Sequence, residues 1–255
     1  MGLYKTRAIV LRYINLSETD KLVTFLTEHH GKIKCVAKAA RRIKSKFGGS
    51  LEPFTYNHII FFRKENQTIG RLNNCDIICS FIALSEDLKK MFTALYFNEL
   101  VDSLLAESQN PHGLFPFMLE SLNGIQNGLN VETLCKLFEI RIMSLAGYAP
   151  RLDQCALCKK ASNDGDSGYS FIRNGVICFD CGKKNKPELN INTGALNYIR
   201  KLTKMTVSQS DRLKIPGFME TQIEAFTHRL IQNQLGREPR CYPFIKKIKD
   251  PAFAT

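Results

Sequence analysis

Four of the nine cysteines in this 255-residue sequence form two Cys-X-X-Cys units. Cys155 and Cys158 make the first unit, Cys178 and Cys181 make the second, and nineteen residues separate the two. Each such turn places two thiolates on one side of a tight knuckle, and two knuckles complete a tetrahedron with metal–sulfur bonds of about 2.3 Å. The spacing therefore predicts a four-cysteine zinc site.

The predicted zinc is structural, with one ion per chain, because four thiolates leave no coordination position open for water. Two rival interpretations are a redox Cys-X-X-Cys motif and four unrelated buried cysteines. A redox motif is expected after a strand in a βαβ unit, and neither copy has that setting. The other five cysteines are predicted to be small core residues. They are Cys35, Cys75, Cys79, Cys135 and Cys241.

The second group of candidate functional side chains is a run of cations between Glu28 and Glu52, where the sequence has no acidic residue. Its first half alternates apolar and charged positions, which predicts a half-buried strand with a cationic outer face. Residues 39–50 lose the alternation and predict a mobile basic loop. The single sign of charge favours polyanion binding over a solvated surface. The residues predicted to bind a polyanion such as DNA are Lys32, Lys34, Lys38, Arg41, Arg42, Lys44 and Lys46.

Two aromatic residues, Phe47 and Phe54, lie at the end of this cationic run. Either ring could stack on a nucleic-acid base. For Phe54, which follows a proline, packing in the core is the favoured interpretation. If six or seven of the cations meet phosphates, the logarithm of single-strand affinity should fall with the logarithm of salt concentration with a slope of about −4 to −5.

Charge divides the chain into three segments. The net charge is +12 overall, and it is +8 for residues 1–80, −4 for residues 81–150 and +8 for residues 151–255. No apolar run approaches a membrane span, and the start lacks the layout of a signal peptide. An odd number of cysteines without an export signal favours reduced thiols, which are typical of the cytoplasm. We therefore expect a cytoplasmic protein.

The elements that must position these residues change type near residue 80. Five short runs rich in β-branched and aromatic residues precede it, which favours a small closed barrel of the OB type, with an SH3-like barrel as the alternative. Helical periodicity follows, in two stretches around a polar, cysteine-containing segment. The predicted fold is an α+β multidomain protein. Its ranges are 1–80 for the barrel, 81–150 with 188–245 for the helical domain, and 151–187 for an inserted zinc ribbon.

Sequence signatures of common catalytic sites are missing. The sequence has no GxxxxGK[ST], no Rossmann glycine fingerprint and no HExxH. The serine, threonine and acidic residues at positions 17–20 are ordinary turn chemistry. We therefore predict that the protein is not an enzyme, although a metal-dependent nuclease built from scattered carboxylates stays compatible with the sequence.

Two long segments carry a family resemblance. TRAIVLRYINLSETDKLVTFLTEHHGKIKCVAKAARRIKSKFGGSLEPF resembles the amino-terminal signature of the bacterial recombination-mediator family RecO, and FEIRIMSLAGYAPRLDQCALC resembles its helical-to-zinc junction. The resemblance implies a non-enzymatic protein that binds single- and double-stranded DNA and anneals complementary strands. It also implies work with RecR to load RecA onto strands coated by single-strand binding protein.

The resemblance assigns the DNA-binding role to the basic strand and loop and implies no catalytic residue. By the same resemblance, the acidic helical segment could receive the carboxy-terminal tail of single-strand binding protein, with Arg141 as the candidate cation. Pairing of Arg141 with Glu132 or Glu139 is the alternative. Composition alone does not separate such a mediator from a sequence-specific zinc-ribbon transcription regulator or another nucleic-acid-binding factor.

Overall fold

The computed structural model describes residues 2–65, 67–161, 167–213 and 215–248. These residues form two compact units. The first unit is drawn from Met1–Gly128 and Pro239–Thr255, and the second from Leu129–Glu238. The three ranges predicted from the sequence divide the chain differently and stay a prediction. No helix in the described ranges has the length and apolar character needed to cross a membrane.

Five strands of the first unit close into a barrel in the order β1-β2-β3-β5-β4. Strands β3 and β5 pair in parallel, and all other neighbours are antiparallel. This order is that of an OB fold, so the OB prediction is confirmed and the SH3-like alternative is wrong. The strands are β1 (Gly2–Asn15), β2 (Lys21–Thr27), β3 (Gly31–Ala37), β4 (Tyr56–Arg63) and β5 (Ile69–Cys79).

The inside of the barrel follows the alternation of the strands. Ile33, Cys35 and Ala37 of β3 all lie in its core, as the period of two predicts. Burial raises the pKa of Cys35 to about 12 and that of Cys75 to about 11. Thiols with such values stay protonated and inert at neutral pH, which agrees with their predicted role as small core residues.

Two helices follow the barrel in the first unit, α1 (Leu88–Leu104) and α2 (Leu114–Gln126). Asp87 caps the start of helix α1, and its carboxylate accepts a hydrogen bond from the backbone N–H of Lys90 at 3.0 Å. It packs on the barrel through Asn98, which donates to the carbonyl oxygens of Val10 and Leu11 at 3.2 and 2.8 Å. A last helix of this unit, α7, spans Tyr242–Ile248. For the last residues of the chain the sequence predicts fraying, and residues 249–255 lie outside the described part of the chain.

The second unit combines three long helices with a small three-stranded sheet in the order β7-β6-β8. The sequence predicts Thr193 as the cap of the helix that follows Pro187, but the structure has Asn192 in this role, whose side chain accepts from the N–H of Ala195 at 2.7 Å. The sequence predicts that Gly236 and Pro239 stop the last long helix, and Gly236, at φ +66°, does end it. The elements are α3 (Val131–Leu145), β6 (Ser167–Ser170), β7 (Gly175–Ile177), α4 (Phe179–Gly182), β8 (Leu189–Ile191), α5 (Thr193–Lys204) and α6 (Gly217–Leu235).

The basic loop that follows β3 is anchored at its start. The Asp20 carboxylate accepts a hydrogen bond from the N–H of Ala39 at 2.8 Å, and Ala39 has a left-handed φ of +57°. The Arg41 N–H donates to the carbonyl oxygen of Thr19, and the Arg41 guanidinium donates to that of Ser17. The turn at residues 17–20, assigned to ordinary turn chemistry, therefore holds the entry of the loop.

The loop is anchored at its end by the side chains of Phe47 and Leu51, which lie in the barrel core. Stacking of Phe47 on a base is therefore wrong as a prediction, because the ring is only 3% exposed. Packing of Phe54 in the interior is confirmed. Hydrogen-bonded turns and core residues thus hold both ends of the loop, and its mobility between them stays a prediction.

We predict that Asp20→Ala frees the start of the loop, while Asp20→Asn, whose amide oxygen can still accept from Ala39, stays close to the parent. The hydrogen bond from Ala39 lowers the pKa of Asp20, so the anchor is present at neutral pH and weakens as the pH falls through that lowered value. Hydrogen exchange of amides 39–42 measures the change. Equal exchange rates in the parent and Asp20→Ala would show that the contact does not anchor the loop.

Candidate nucleic-acid interface and metal centre

The outer face of β3 does not present all of its predicted cations to solvent. The Lys32 side chain is 8% exposed; its ammonium contacts the Asp102 carbonyl oxygen and lies 3.3 Å from the Asp102 carboxylate. The Lys34 ammonium contacts the Glu107 carboxylate and is half-buried. Both acids come from the acidic segment, at and after the end of α1. Lys32 is thus a structural contact between strand and helix, and Lys34 is partly neutralised.

Five of the predicted cations remain exposed together on one continuous segment, residues 38–46, which we call the cationic loop. The Lys46 ammonium contacts the carbonyl oxygen of Asn73. Lys38, Arg42 and Lys44 form no ion pair within the described part of the chain. The exposed members are Lys38, Arg41, Arg42, Lys44 and Lys46.

Arg71 on β5 extends this surface and was missed by the sequence argument. The parallel pairing places Arg71 beside Val36, whose neighbours on β3 point into the core. Leu72, the next residue of β5, is buried inside the barrel, so Arg71 lies on the outer face and is exposed. Nothing local in the sequence indicates this position, because it depends on which strand closes the barrel.

The four predicted metal ligands meet at one point of the second unit. The Sγ atoms of Cys155, Cys158, Cys178 and Cys181 all lie within 4.8 Å of one another. The Sγ atoms of Cys158 and Cys178 are 3.7 Å apart. A tetrahedron with metal–sulfur bonds of about 2.3 Å has edges of about 3.8 Å, so the donor set fits one metal ion.

Backbone hydrogen bonds position both knuckles. The N–H of Ala156 donates to the Val176 carbonyl oxygen at 2.7 Å, which joins the first knuckle to β7. The second knuckle directly follows that strand, with Cys178 at the start of α4 and the N–H of Gly182 donating to its carbonyl oxygen at 2.9 Å. The short strand β7 therefore sets the distance between the two cysteine pairs.

The thiols of the cluster differ in acidity because of these contacts. Burial opposes ionisation of Cys155, but donation from the N–H groups of Cys178, Cys158 and Leu157 outweighs it and lowers the pKa to about 6. Hydrogen bonding with the thiols of Cys178 and Cys158 raises the pKa of Cys181 to about 12. The cluster stabilises negative charge at one sulfur, as expected of thiolates that bind a metal cation.

Aromatic packing attaches this cysteine-containing segment to the helices of its own unit. The ring of Tyr169 on β6 lies edge-on to Phe171 and to Phe226 of α6, with centroids 5.0 and 4.8 Å apart. The guanidinium of Arg200, on α5, donates to the carbonyl oxygen of Leu152. One side of the segment is held by a hydrophobic core, whereas the other side has the four cysteines that could hold a metal ion.

The predicted partner-binding residue, Arg141, lies on α3 in a half-buried position. Its Nη1 donates to the carbonyl oxygen of Thr203, in the last turn of α5, at 3.2 Å. Nearby on α3, the buried Lys136 ammonium pairs with the Glu139 carboxylate at 3.0 Å. Arg141 thus contributes to helix packing in the second unit.

Comparison with known proteins agrees with this architecture. The family model described as "Recombination protein O N terminal" matches residues 1–81, and that described as "Recombination protein O C terminal" matches residues 85–241. The chain is 33% identical over 253 residues to the DNA repair protein RecO of Caldanaerobacter subterraneus subsp. tengcongensis, covering 98% of this chain and 100% of the relative.

Two further relatives are also DNA repair proteins named RecO. The DNA repair protein RecO of Caldicellulosiruptor saccharolyticus is 29% identical over 255 residues, and that of a Thermoanaerobacter species is 29% identical over 253 residues. Each match covers 98% of this chain and 100% of the relative. The chain therefore belongs to the RecO family of DNA repair proteins.

Proposed function

We propose that this protein is a non-enzymatic recombination mediator that binds single- and double-stranded DNA and anneals complementary strands at the nucleoid. Together with RecR, it would help load RecA onto strands coated by single-strand binding protein. Membership of the RecO family supports the repair context. The observation that carries the DNA-binding part is the exposed cationic loop on an OB barrel.

The chemistry of the loop favours contact with phosphates over contact with bases. Its members are lysine and arginine, which bind phosphate oxygens by charge and release condensed counterions. Such contacts carry no sequence information. A surface of this kind holds two complementary strands without preferring either, and it lowers their mutual repulsion while they pair.

The rival proposal is a sequence-specific regulator, and base-order dependence separates the two. A mediator should bind unrelated 30-nucleotide strands of mixed sequence with nearly equal affinity and anneal them faster than they anneal alone. A regulator should prefer one duplex site and should not speed annealing. An annealing assay on strands coated by single-strand binding protein tests both properties together.

We predict that replacing Arg41, Arg42 and Lys44 together by alanine weakens DNA binding and its salt dependence. If the five exposed cations and Arg71 meet phosphates, the parent slope on single strands should be about −4, and the triple variant should lose about two units of it. Titrations at several salt concentrations give the slope, and thermal unfolding checks that the barrel is intact.

The matched control for this variant removes three cations from the cysteine-containing segment, namely Lys183, Lys184 and Lys186, which are exposed. It has the same change of net charge, and its slope should stay near that of the parent. If the loop variant keeps the salt slope of the parent and the control variant has a flatter one, DNA binding lies on the carboxy-terminal half of the chain instead.

We further infer that the metal held by the four cysteines is structural zinc. All four donors are thiolates, which this ion accepts in tetrahedral geometry, and no ligand position is left for substrate. Structural zinc contributes about 10–16 kcal/mol in small modules at neutral pH, and the affinity falls in acid because the ligands must be deprotonated. The ion would hold together the two knuckles of the predicted insertion, residues 151–187.

We predict that Cys178→Ala lowers zinc content from one ion per chain to well below one. The knuckles should loosen, with faster hydrogen exchange at 155–160 and 178–185, while β6 stays attached through Tyr169 and the barrel unfolds as in the parent. Cys79→Ala, a half-buried cysteine outside the cluster, is the control and should keep its zinc. Elemental analysis that finds much less than one zinc in the parent would exclude the assignment.

As a further part of this function, we propose that the acidic tail of single-strand binding protein docks near Arg141. Because Arg141 also bonds to the end of α5, Arg141→Ala should be compared with the parent for both peptide binding and thermal stability. A tail peptide should bind at least about tenfold more weakly if the guanidinium meets its carboxylates. Unchanged peptide affinity would remove Arg141 from the docking site.

A further inference from the structure

One apolar side chain stands at the tip of the cationic loop. Ile43 has a relative exposure of 105%, so its side chain is as accessible as in an unfolded chain. Other exposed apolar side chains in the described residues are less accessible, including Ile172 at 87% and Phe218 at 78%. An isoleucine this exposed gains free energy from any apolar surface that covers it.

The loop presents Ile43 in a defined way. The N–H of Ser45 donates to the carbonyl oxygen of Arg42 at 2.9 Å, so Ile43 and Lys44 are the two central residues of a hydrogen-bonded turn. The anchors at Ala39 and Phe47 lie within four residues on either side. Little ordering entropy therefore remains to be lost when the tip is covered.

The surroundings of Ile43 indicate what covers it. Arg42 and Lys44 flank it in sequence, and both are exposed. An isolated apolar tip between two cations matches the surface of duplex DNA, where phosphates lie on both sides of an apolar stack of bases. Isoleucine is among the side chains that proteins insert between base steps.

We propose that Ile43 is a wedge that inserts between adjacent base pairs of duplex DNA while Arg42 and Lys44 hold the flanking phosphates. This inference rests on the proposed DNA-binding function and adds a mode of action to it. Insertion unstacks one step, most easily a pyrimidine–purine step such as TA. A locally unstacked duplex is a natural starting point for a protein that rearranges base pairing.

The test uses short duplexes in which 2-aminopurine, a base whose fluorescence rises on unstacking, occupies each position of a TA-containing sequence in turn. The full-length parent should raise the fluorescence at one or two positions by about twofold or more, as unstacking at a wedge requires. Ile43→Ala should lose most of this rise, and Ile43→Met should keep it. Ile172→Ala, at another highly exposed isoleucine, should behave as the parent.

Duplex-binding affinity distinguishes the role of Ile43 from that of the cations in the cationic loop. Because Ile43→Ala removes no charge, the salt slope of duplex binding should stay at the parent value. A fluorescence rise that persists in Ile43→Ala would overturn the proposed wedge. No rise in the parent would also overturn it, and this is the result expected if Ile43 contacts a protein partner instead of DNA. Unchanged duplex binding by the Arg41, Arg42 and Lys44 variant overturns the proposed DNA surface itself.

Discussion

The short parallel pairing of β3 with β5 is the contact on which the rest of the first unit depends. It comprises three residue pairs, Lys34 with Ile69, Cys35 with Gly70 and Val36 with Arg71. A Cβ at Gly70 would come within 3.1 Å of the Cys35 sulfur, so glycine permits the close approach inside the barrel. Closure here leaves the chain between β3 and β4 free to cross the outside as the cationic loop.

The same closure decides which cations are available. It adds Arg71 to the outer face, while contacts with the acidic segment that follows the barrel withdraw Lys32 and weaken Lys34. A run of seven cations in the sequence thus becomes five exposed cations on a loop with fixed ends. The surface is smaller than the charge count indicates, and contacts with the barrel hold it at both ends, which suits repeated, sequence-independent contact with phosphates.

Periodicity and spacing predicted the features that depend on neighbouring residues. The five strands, the helical stripes and the meeting of four cysteines all follow from local pattern. Long-range contacts were out of reach: Asp102 and Lys32 are far apart in sequence, and no local signal pairs them. The stacking prediction for Phe47 was wrong for a related reason. A ring beside glycines in a basic run suggests an exposed loop, but the burial of Phe47 depends on a core formed by the other strands of the barrel.

The central claim is that DNA lies against the cationic loop, and lysine acylation with and without DNA tests it most directly. With bound single strands, Lys38, Lys44 and Lys46 should be protected, while Lys32, buried against Asp102, should react slowly in both states. Lys183, Lys184 and Lys186 should react equally with and without DNA. Protection of these three lysines, with Lys38 and Lys44 still fully reactive, would contradict the account.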